Sequence, residues 1–236
     1  MQRIRELIAL AKEAHPTDRF FDNLDQTLTL SPGARAQYQA YERALSSIDQ
    51  DSWNVLRKKT ISHFMDHRKG QKKQGFFNQL NEAFAYEHLI KSGAQQIRVM
   101  KETGKTQPDI LFTEDGVTKY CEVKTICISD DLIRRRETIQ VTSSSIYYQL
   151  SPEFLSKLGS SIDAADRQLR ATGASGLIYL LIGFDDFTLE YYKTYRKQIV
   201  ACIEAHSATN IHVKVGILGR RRIHKGSLKK INIHGT

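Results

Sequence analysis

The sequence predicts an α/β protein in which a mixed β-sheet is flanked by helices and preceded by a helical N-terminal segment. Two observations carry this prediction. From Phe76 onward the patterns follow the order αβββαβαβ, which is typical of a sheet with helices on both faces. The run GLIYLLIGF, residues 176–184, is apolar throughout, as expected of a strand that is buried on both faces.

The first 75 residues have the periodicity of helices. The amphipathic start MQRIRELIALAKEAH predicts one helix, and Ser31 followed by Pro32 predicts the beginning of a second. A third helix is predicted over residues 52–67, where an apolar stripe is formed by Trp53, Leu56, Ile61, Phe64 and Met65. The polar, glycine-bounded stretch Arg68–Gly75 predicts a domain boundary, with a helical segment over 1–75 and a second domain over 76–236.

The second domain is predicted to begin with one helix that Gly93 terminates. Glu114, Asp115 and Gly116 form a hairpin-turn signature between two strands, and Ser151 with Pro152 marks the beginning of a long helix. The predicted helices cover residues 76–94, 151–173 and 188–207, and the predicted strands cover 95–100, 109–112, 117–128, 176–184 and 210–218.

Composition limits the classes of protein to consider. Apolar residues make up 40% of the chain and charged residues 26%, as in folded globular proteins. The longest apolar run is too short to cross a bilayer, and the N-terminus lacks a signal-peptide cleavage pattern, so we expect a cytoplasmic protein without membrane contact. The three cysteines are too few for a disulfide framework and are expected to be reduced.

The net charge of +9 is concentrated in part at the C-terminus. Between residues 220 and 230 there are six basic residues and no acidic residue. Such a tail either contacts nucleic-acid phosphates or serves only for solubility. The predicted phosphate contacts are Arg220, Arg221, Arg222, Lys225, Lys229 and Lys230.

Two other short motifs resemble functional sites, but their neighbouring residues do not match those sites. The tripeptide Gly104–Thr106 resembles the end of a phosphate-binding P-loop, but the position of the first glycine is Val99 and no helix follows. His63 and His67 are four residues apart on a predicted helix, but no Glu follows His63 and no cysteine lies nearby. We interpret the histidines as part of a solvated helix face.

The hairpin QPDILFTEDGVTKYCEVKT, residues 107–125, carries the strongest chemical signal. Residues two apart in a strand share a face, so Glu122 and Lys124 lie together, and Asp109 begins the neighbouring strand. Two converging carboxylates would repel each other unless a cation lies between them. Oxygen ligands of this kind suit a hard divalent ion such as Mg²⁺. The alternative is a solvent-exposed hairpin whose charges merely alternate with core residues.

The residues Pro108–Asp109 and Glu122–Val123–Lys124, with the surrounding order of elements, resemble the PD-(D/E)XK, or restriction-endonuclease-like, nuclease superfamily. The resemblance covers residues 76 to about 185 and implies a restriction-endonuclease-like mixed sheet. It also implies a nuclease that uses Mg²⁺ or Mn²⁺, with DNA as the expected substrate. It makes Asp109, Glu122 and the main-chain carbonyl of Val123 metal ligands, and it makes Lys124 the residue that assists the attacking water.

The resemblance implies two further residues. A helix before the motif carries an additional acid in this superfamily, and Glu82 and Glu87 are both available; we choose Glu82 as a catalytic residue and metal ligand because it lies farther ahead of Gly93. Gln168 matches a polar position that reaches the site in some members. The alternative function is a non-catalytic nucleic-acid-binding or assembly module that keeps the fold. A homo-oligomer is compatible with the sequence.

Overall fold

The fold is taken from a computed structural model that describes residues 1–67, 73–103, 107–126, 148–184, 191–206 and 210–217. It is an α/β structure with a five-stranded mixed sheet, as predicted. The helices are α1 (Gln2–Ala14), α2 (Leu24–Leu30), α3 (Pro32–Ser46), α4 (Gln50–Ser62), α5 (Gln74–Leu80), α6 (Glu82–Lys91), α7 (Pro152–Arg170) and α8 (Tyr192–Glu204). The strands are β1 (Gln95–Val99), β2 (Ile110–Glu114), β3 (Val117–Ile126), β4 (Gly176–Phe184) and β5 (Asn210–Ile217).

The order of strands in the sheet is the order in the sequence. β1, β2 and β3 are antiparallel, and β3, β4 and β5 are parallel. Parallel neighbours need a crossover connection, which α8 provides between β4 and β5, while α7 lies between β3 and β4 in sequence. The predicted αβββαβαβ order is confirmed, except that its first helix is split into α5 and α6.

Apolar side chains of β4 alternate between two hydrophobic clusters. Tyr179 belongs to a cluster with residues of α1, α3, α4 and α6, whereas Ile178 and Leu180 belong to a cluster with residues of α7 and α8. Because successive side chains of a strand point to opposite faces, the two clusters lie on opposite faces of the sheet. The sheet therefore lies between two helical layers, and the N-terminal helices share a core with it. The predicted division at residue 75 stays a prediction.

The predicted helix starts at Ser31 and Ser151 are confirmed. The Ser31 side chain accepts a hydrogen bond from the main-chain N–H of Ala34, and Ser151 accepts one from Phe154. Each satisfies a donor that has no partner within the first turn of its helix. Gly93 follows α6 with φ of 86°, a conformation that costs glycine little and other residues more.

Two predictions about helix length are wrong. α4 ends at Ser62 instead of His67, and Met65, predicted on its apolar stripe, is 48% exposed. The His63 ring instead contacts Asp66 and Glu102, which holds the chain in a turn after the helix. The helix predicted over residues 76–94 breaks at Asn81, whose side chain is bonded to two other elements.

The structure bears only in part on the predictions about membrane spans, cysteines and the basic tail. No helix among the described residues has the length and apolar composition needed to cross a bilayer. Cys121 and Cys202 are free thiols, as expected of reduced cysteines, and Cys127 lies outside the described residues. The basic residues predicted to contact phosphate, Arg220 to Lys230, also lie outside them.

Candidate active site

The hairpin of β2 and β3 brings the predicted motif residues to one end of the sheet. Ile110 pairs with Cys121 in an antiparallel register, so Asp109, which precedes Ile110, lies opposite Glu122, which follows Cys121. The main-chain N–H of Asp109 donates to the carbonyl of Cys121 at 3.1 Å. Because directly opposite residues share a face of the sheet, Asp109, Glu122 and Lys124 lie on one side.

The Asp109 carboxylate is held by the backbone of β3. Its Oδ2 accepts a hydrogen bond of 2.8 Å from the main-chain N–H of Val123. The N–H and C=O of a strand residue point to the same side of the strand, so the Val123 carbonyl also points toward the Asp109 side. The Asp109 side chain is 22% exposed, which leaves it open to solvent and ligands.

Glu122 is a buried acid with one unsatisfied oxygen. Only 2% of the residue is exposed. Its Oε1 accepts a hydrogen bond of 2.5 Å from Lys124 Nζ, while its Oε2 is buried without a partner among the described residues. Glu122 is therefore not one of the solvent-exposed charges of the hairpin. The Lys124 side chain contacts the buried Glu122 carboxylate and is itself 30% exposed, so it is also accessible to solvent.

The helix acid beside the hairpin is Glu82, not Glu87. Glu82 is the first residue of α6, where the helix dipole favours a negative charge, and it is 3% exposed. Its Oε1 accepts a hydrogen bond of 2.6 Å from Lys59, and its Oε2 is a second buried carboxylate oxygen without a partner among the described residues. Glu87 instead forms an i,i+4 ion pair of 2.6 Å with Lys91.

The residue that sequence reasoning missed is Lys59 of α4. Its Nζ lies 2.6 Å from Glu82 Oε1 and 3.7 Å from Asp109 Oδ1, and its side chain is 7% exposed. The N-terminal helices, which lie outside the resemblance, thus place a charged group between two of the predicted site residues. The available signal was position: Lys59 lies three residues after Leu56, on the face of α4 that the apolar stripe predicts to be buried.

The charges of this cluster do not balance. Three carboxyl groups, on Glu82, Asp109 and Glu122, face the two ammonium groups of Lys59 and Lys124. If all were ionised, one negative charge would remain in a largely buried place. A proton or a bound cation would offset that charge.

The pKa values follow from burial and this imbalance. Burial and the neighbouring Asp109 charge raise the pKa of Glu82 to about 8, although Lys59 acts in the opposite direction. Burial and Asp109 also raise the pKa of Glu122 to about 8, against the effect of Lys124. Burial lowers the pKa of Lys59, but the charges of Glu82 and Asp109 outweigh it and leave that pKa above its usual value.

The pKa shifts of Lys59 and Glu82 imply conflicting protonation states for this pair. The raised pKa of Lys59 implies a charged pair, whereas a value of about 8 for Glu82 implies that this acid holds a proton at neutral pH. We take Lys59 as charged, because two carboxyl groups contact it. The surplus proton then belongs to the cluster as a whole and is shared mainly by the two buried glutamates.

Asn81 connects β3 to helix α3 at the start of α6. Its side-chain carbonyl accepts a hydrogen bond of 2.9 Å from the Tyr41 hydroxyl, and its amide donates to the Thr125 hydroxyl at 2.9 Å. Asn81 precedes Glu82, and Thr125 follows Lys124. These two bonds therefore fix the start of α6 relative to the part of β3 that carries the motif.

A polar cleft of about 410 Å³ opens beside Thr125. Its volume lies in the usual range for small-ligand sites. The lining includes His63, but both of its ring nitrogens are engaged, by Asp66 and Glu102, so it does not form a metal pair with His67. The lining residues are His63, Asp66, His67, Gln74, Gly75, Asn78, Gln79, Thr125 and Lys157.

Gln168 of α7 lies close to the hairpin. Its side-chain amide donates to the main-chain carbonyl of Gln107 at 2.5 Å, two residues before Asp109. Gln168 thus contacts the main chain of the segment that precedes Asp109, and among the described residues it has no hydrogen bond to a site carboxylate.

The site offers only a few oxygen ligands for a hard cation. In the part of the chain that the structure describes, no group of three or more His, Cys, Asp or Glu side chains is arranged to hold a metal ion. What fits is the pair of Asp109 and Glu122, with the unsatisfied Oε2 of Glu122 and the Val123 carbonyl beside it. Mg²⁺ keeps several waters and is often held by one or two carboxylates.

Comparison of the chain with protein-family models, with curated proteins and with solved structures gives no match. The geometry of these residues is therefore the basis for assigning a function to the protein.

Proposed function

We propose that the protein is a divalent-metal-dependent nuclease of the PD-(D/E)XK type, which hydrolyses phosphodiester bonds of nucleic acid, with DNA as the expected substrate. The observation that carries this proposal is that the partly exposed Asp109 lies opposite the buried Glu122, whose carboxylate contacts Lys124. The antiparallel β1–β3 unit, followed by parallel β4 and β5 with α7 before β4, is compatible with the restriction-endonuclease-like fold that the motif implies.

Asp109, Glu122 and the Val123 carbonyl would hold Mg²⁺ or Mn²⁺, which would supply positive charge to a phosphate oxygen and make water a better nucleophile. The protein's own contribution is orientation. The Val123 N–H fixes the rotamer of Asp109, and the buried walls around Glu122 limit competing water. Both acids are thus held in place before the substrate arrives.

Lys124 has the charge and exposure needed for a role in the chemistry. Its ammonium contacts Glu122 and has three protons, so it can also donate to a water or to a phosphate oxygen at the solvent side. A positioned cation stabilises the charge that develops on phosphate in the transition state. We assign Lys124 to orienting the attacking water and stabilising that charge.

The substrate is assigned from the charge of the chain. The chain has a net charge of +9, whereas Lys157 and Asp66, which carry opposite charges, both line the cleft beside Thr125, so the attraction for a polyanion comes from the chain as a whole. A polyanion is attracted by such a net charge, in a salt-dependent way. The basic tail from Arg220 to Lys230 remains a predicted set of phosphate contacts.

The second candidate is a non-catalytic nucleic-acid-binding or assembly module. One observation favours it: Lys59 already neutralises part of the charge of Glu82 and Asp109 without any metal. Against it, two buried carboxylate oxygens have no partner in the part of the chain that the structure describes; such oxygens are costly and give a pure binding protein no benefit.

Incubation of the purified protein with plasmid and with labelled single strands, with Mg²⁺ or Mn²⁺ and with chelator, tests the proposal. We expect metal-dependent cleavage of at least one substrate, abolished by chelator. Binding of nucleic acid without cleavage in any metal would instead support the second candidate. The same assay in increasing salt would show whether binding depends on phosphate contacts.

A further inference from the structure

We infer that Lys59 is a built-in cation that takes the place of a second metal ion, so that the site holds a single divalent ion at Asp109 and Glu122. This inference rests on the proposed function and refines it. It also assigns a role to the N-terminal helices, which carry Lys59 although they lie outside the motif region.

The position of the ammonium group is the first argument. Lys59 Nζ lies 2.6 Å from one oxygen of Glu82 and 3.7 Å from one oxygen of Asp109. An ammonium group that contacts two carboxylates occupies the space in which a bridging metal ion would lie. Lys59 is 6% exposed, so its long side chain has little freedom to leave this space.

The ligand set is the second argument. Among the described residues, no three side chains of His, Cys, Asp or Glu are grouped so that they could hold a metal ion. With Glu82 bound to Lys59, the pair of Asp109 and Glu122 is left as the carboxylate set for an ion. A pair of carboxylates with one main-chain carbonyl is enough for one hydrated Mg²⁺ ion, but it does not provide the ligands of a two-metal site.

The charge balance is the third argument. The three carboxylates and the two ammonium groups leave one negative charge when all are ionised. One divalent ion together with one bound phosphate diester, which carries a single negative charge, would make the whole assembly neutral. A second divalent ion would leave two positive charges in a largely buried site, which is costly.

Removal of Lys59 lowers the cost of a second ion. Without the charge of Lys59, two divalent ions and one phosphate diester leave one positive charge instead of two, and Glu82 becomes free to act as a ligand. Met has a similar length and an apolar side chain, and Arg keeps the charge. Lys58 is the matched control, because it neighbours Lys59 on α4 but is exposed.

The test is the number of Mn²⁺ ions bound per full-length chain in the presence of dimethyl phosphate, a simple phosphate diester, measured by calorimetry and by electron paramagnetic resonance without any cleavage assay. We expect one ion in the wild type, in Lys58→Met and in Lys59→Arg. Lys59→Met should bind two ions, with magnetic coupling between them. Two ions in the wild type, or one ion in a folded Lys59→Met variant, would overturn the inference.

A second variant keeps the test decisive if Lys59→Met does not fold. Because Glu82 is not a ligand of the resident ion under this inference, Glu82→Gln should still bind one Mn²⁺ ion. Its affinity should fall by no more than the roughly 10–100-fold that outer partners of metal ligands contribute. Complete loss of Mn²⁺ binding in Glu82→Gln would show that Glu82 is a ligand and overturn the inference. Absence of Mn²⁺ binding in the wild type itself would instead overturn the proposed function on which the inference rests.

Discussion

Two lysines lie against helix α6, and they are in opposite electrostatic situations. Lys59 contacts Glu82 at the start of the helix and lies near Asp109, whereas Lys214 of β5 lies over the ring of Phe84, with 3.4 Å from its Nζ to the ring centroid. Burial lowers the pKa of both amines. At Lys59 the charges of Glu82 and Asp109 outweigh this effect, but at Lys214 the charge of Glu87 does not, and its pKa falls to about 8.

The difference shows that burial alone does not define a functional site. At the Lys59 end, acids outnumber ammonium groups, and two carboxylate oxygens are buried without a partner among the described residues. At the Lys214 end, Glu87 is already paired with Lys91, and the rings of His88 and His212 stack at 3.8 Å. Changes at the first end should alter metal binding and cleavage, and changes at the second only stability.

The largest effect is expected from Asp109→Asn. The amide keeps the shape but removes a negatively charged ligand, so Mn²⁺ binding should be lost. Cleavage should fall by more than the roughly 10²–10³-fold caused by loss of one electrostatic stabiliser. Calorimetry and a plasmid assay measure the two effects. Glu114→Gln is the control, since Glu114 lies on the same hairpin but pairs with Lys119. Equal Mn²⁺ binding by Asp109→Asn and the wild type would contradict the site assignment.

Lys124→Met should separate binding from chemistry. Mn²⁺ binding should persist because both carboxylates remain, while cleavage should fall by about 10²–10³ because a positioned cation is lost. The comparison variant is Lys119→Met, which also breaks a lysine–glutamate pair of the hairpin, 2.7 Å in length. Near wild-type turnover of Lys124→Met would remove Lys124 from the proposed chemistry.

Glu122→Gln should stabilise the protein at high pH. The pKa of Glu122 is about 8 in the fold, above its usual value of 4.5, so the fold favours the protonated acid. The stability that this group contributes is present below pH 4.5 and is lost as pH rises through 8. The melting temperature of the variant relative to wild type should therefore increase from pH 5 to pH 8.5. A gain of about 1 kcal/mol corresponds to roughly 2–4 °C for a chain of this size. A difference that does not change with pH would show that Glu122 is ionised throughout.

The smallest effect is expected from Lys214→Met. The pKa of Lys214 is about 8 in the fold, below its usual value of 10.5, so the fold penalises its charged form. Wild-type stability from this group is present above pH 10.5 and is lost as pH falls through 8. The variant should thus gain most relative to wild type at pH 7 and least at pH 10, by about 1 kcal/mol or less, with unchanged cleavage. Reduced Mn²⁺ binding in this variant would show that the two ends of α6 are not independent.

Local patterns in the sequence were sufficient to predict the order of the elements and the hairpin. The reasons are local: strand and helix periodicity, the Ser31 and Ser151 caps, and the turn at Gly116 depend on neighbours in the chain. The same local rule of alternation placed Glu122 and Lys124 on one face of β3. It did not distinguish a buried face from an exposed one, because burial depends on which helices cover the sheet.

The rest of the site depends on contacts between distant segments of the chain. Lys59 lies 23 residues from Glu82 in the sequence, and the hydrogen bond between them exists only because α4 and α6 pack on the same face of the sheet. The break at Asn81 likewise follows from bonds to Tyr41 and Thr125, which lie 40 and 44 residues away. No local pattern contains such contacts, since they arise when distant segments are brought together by burial of their apolar faces. The raised pKa values of Glu82 and Glu122 have the same origin, because removal from water and proximity to Asp109 are both products of that packing.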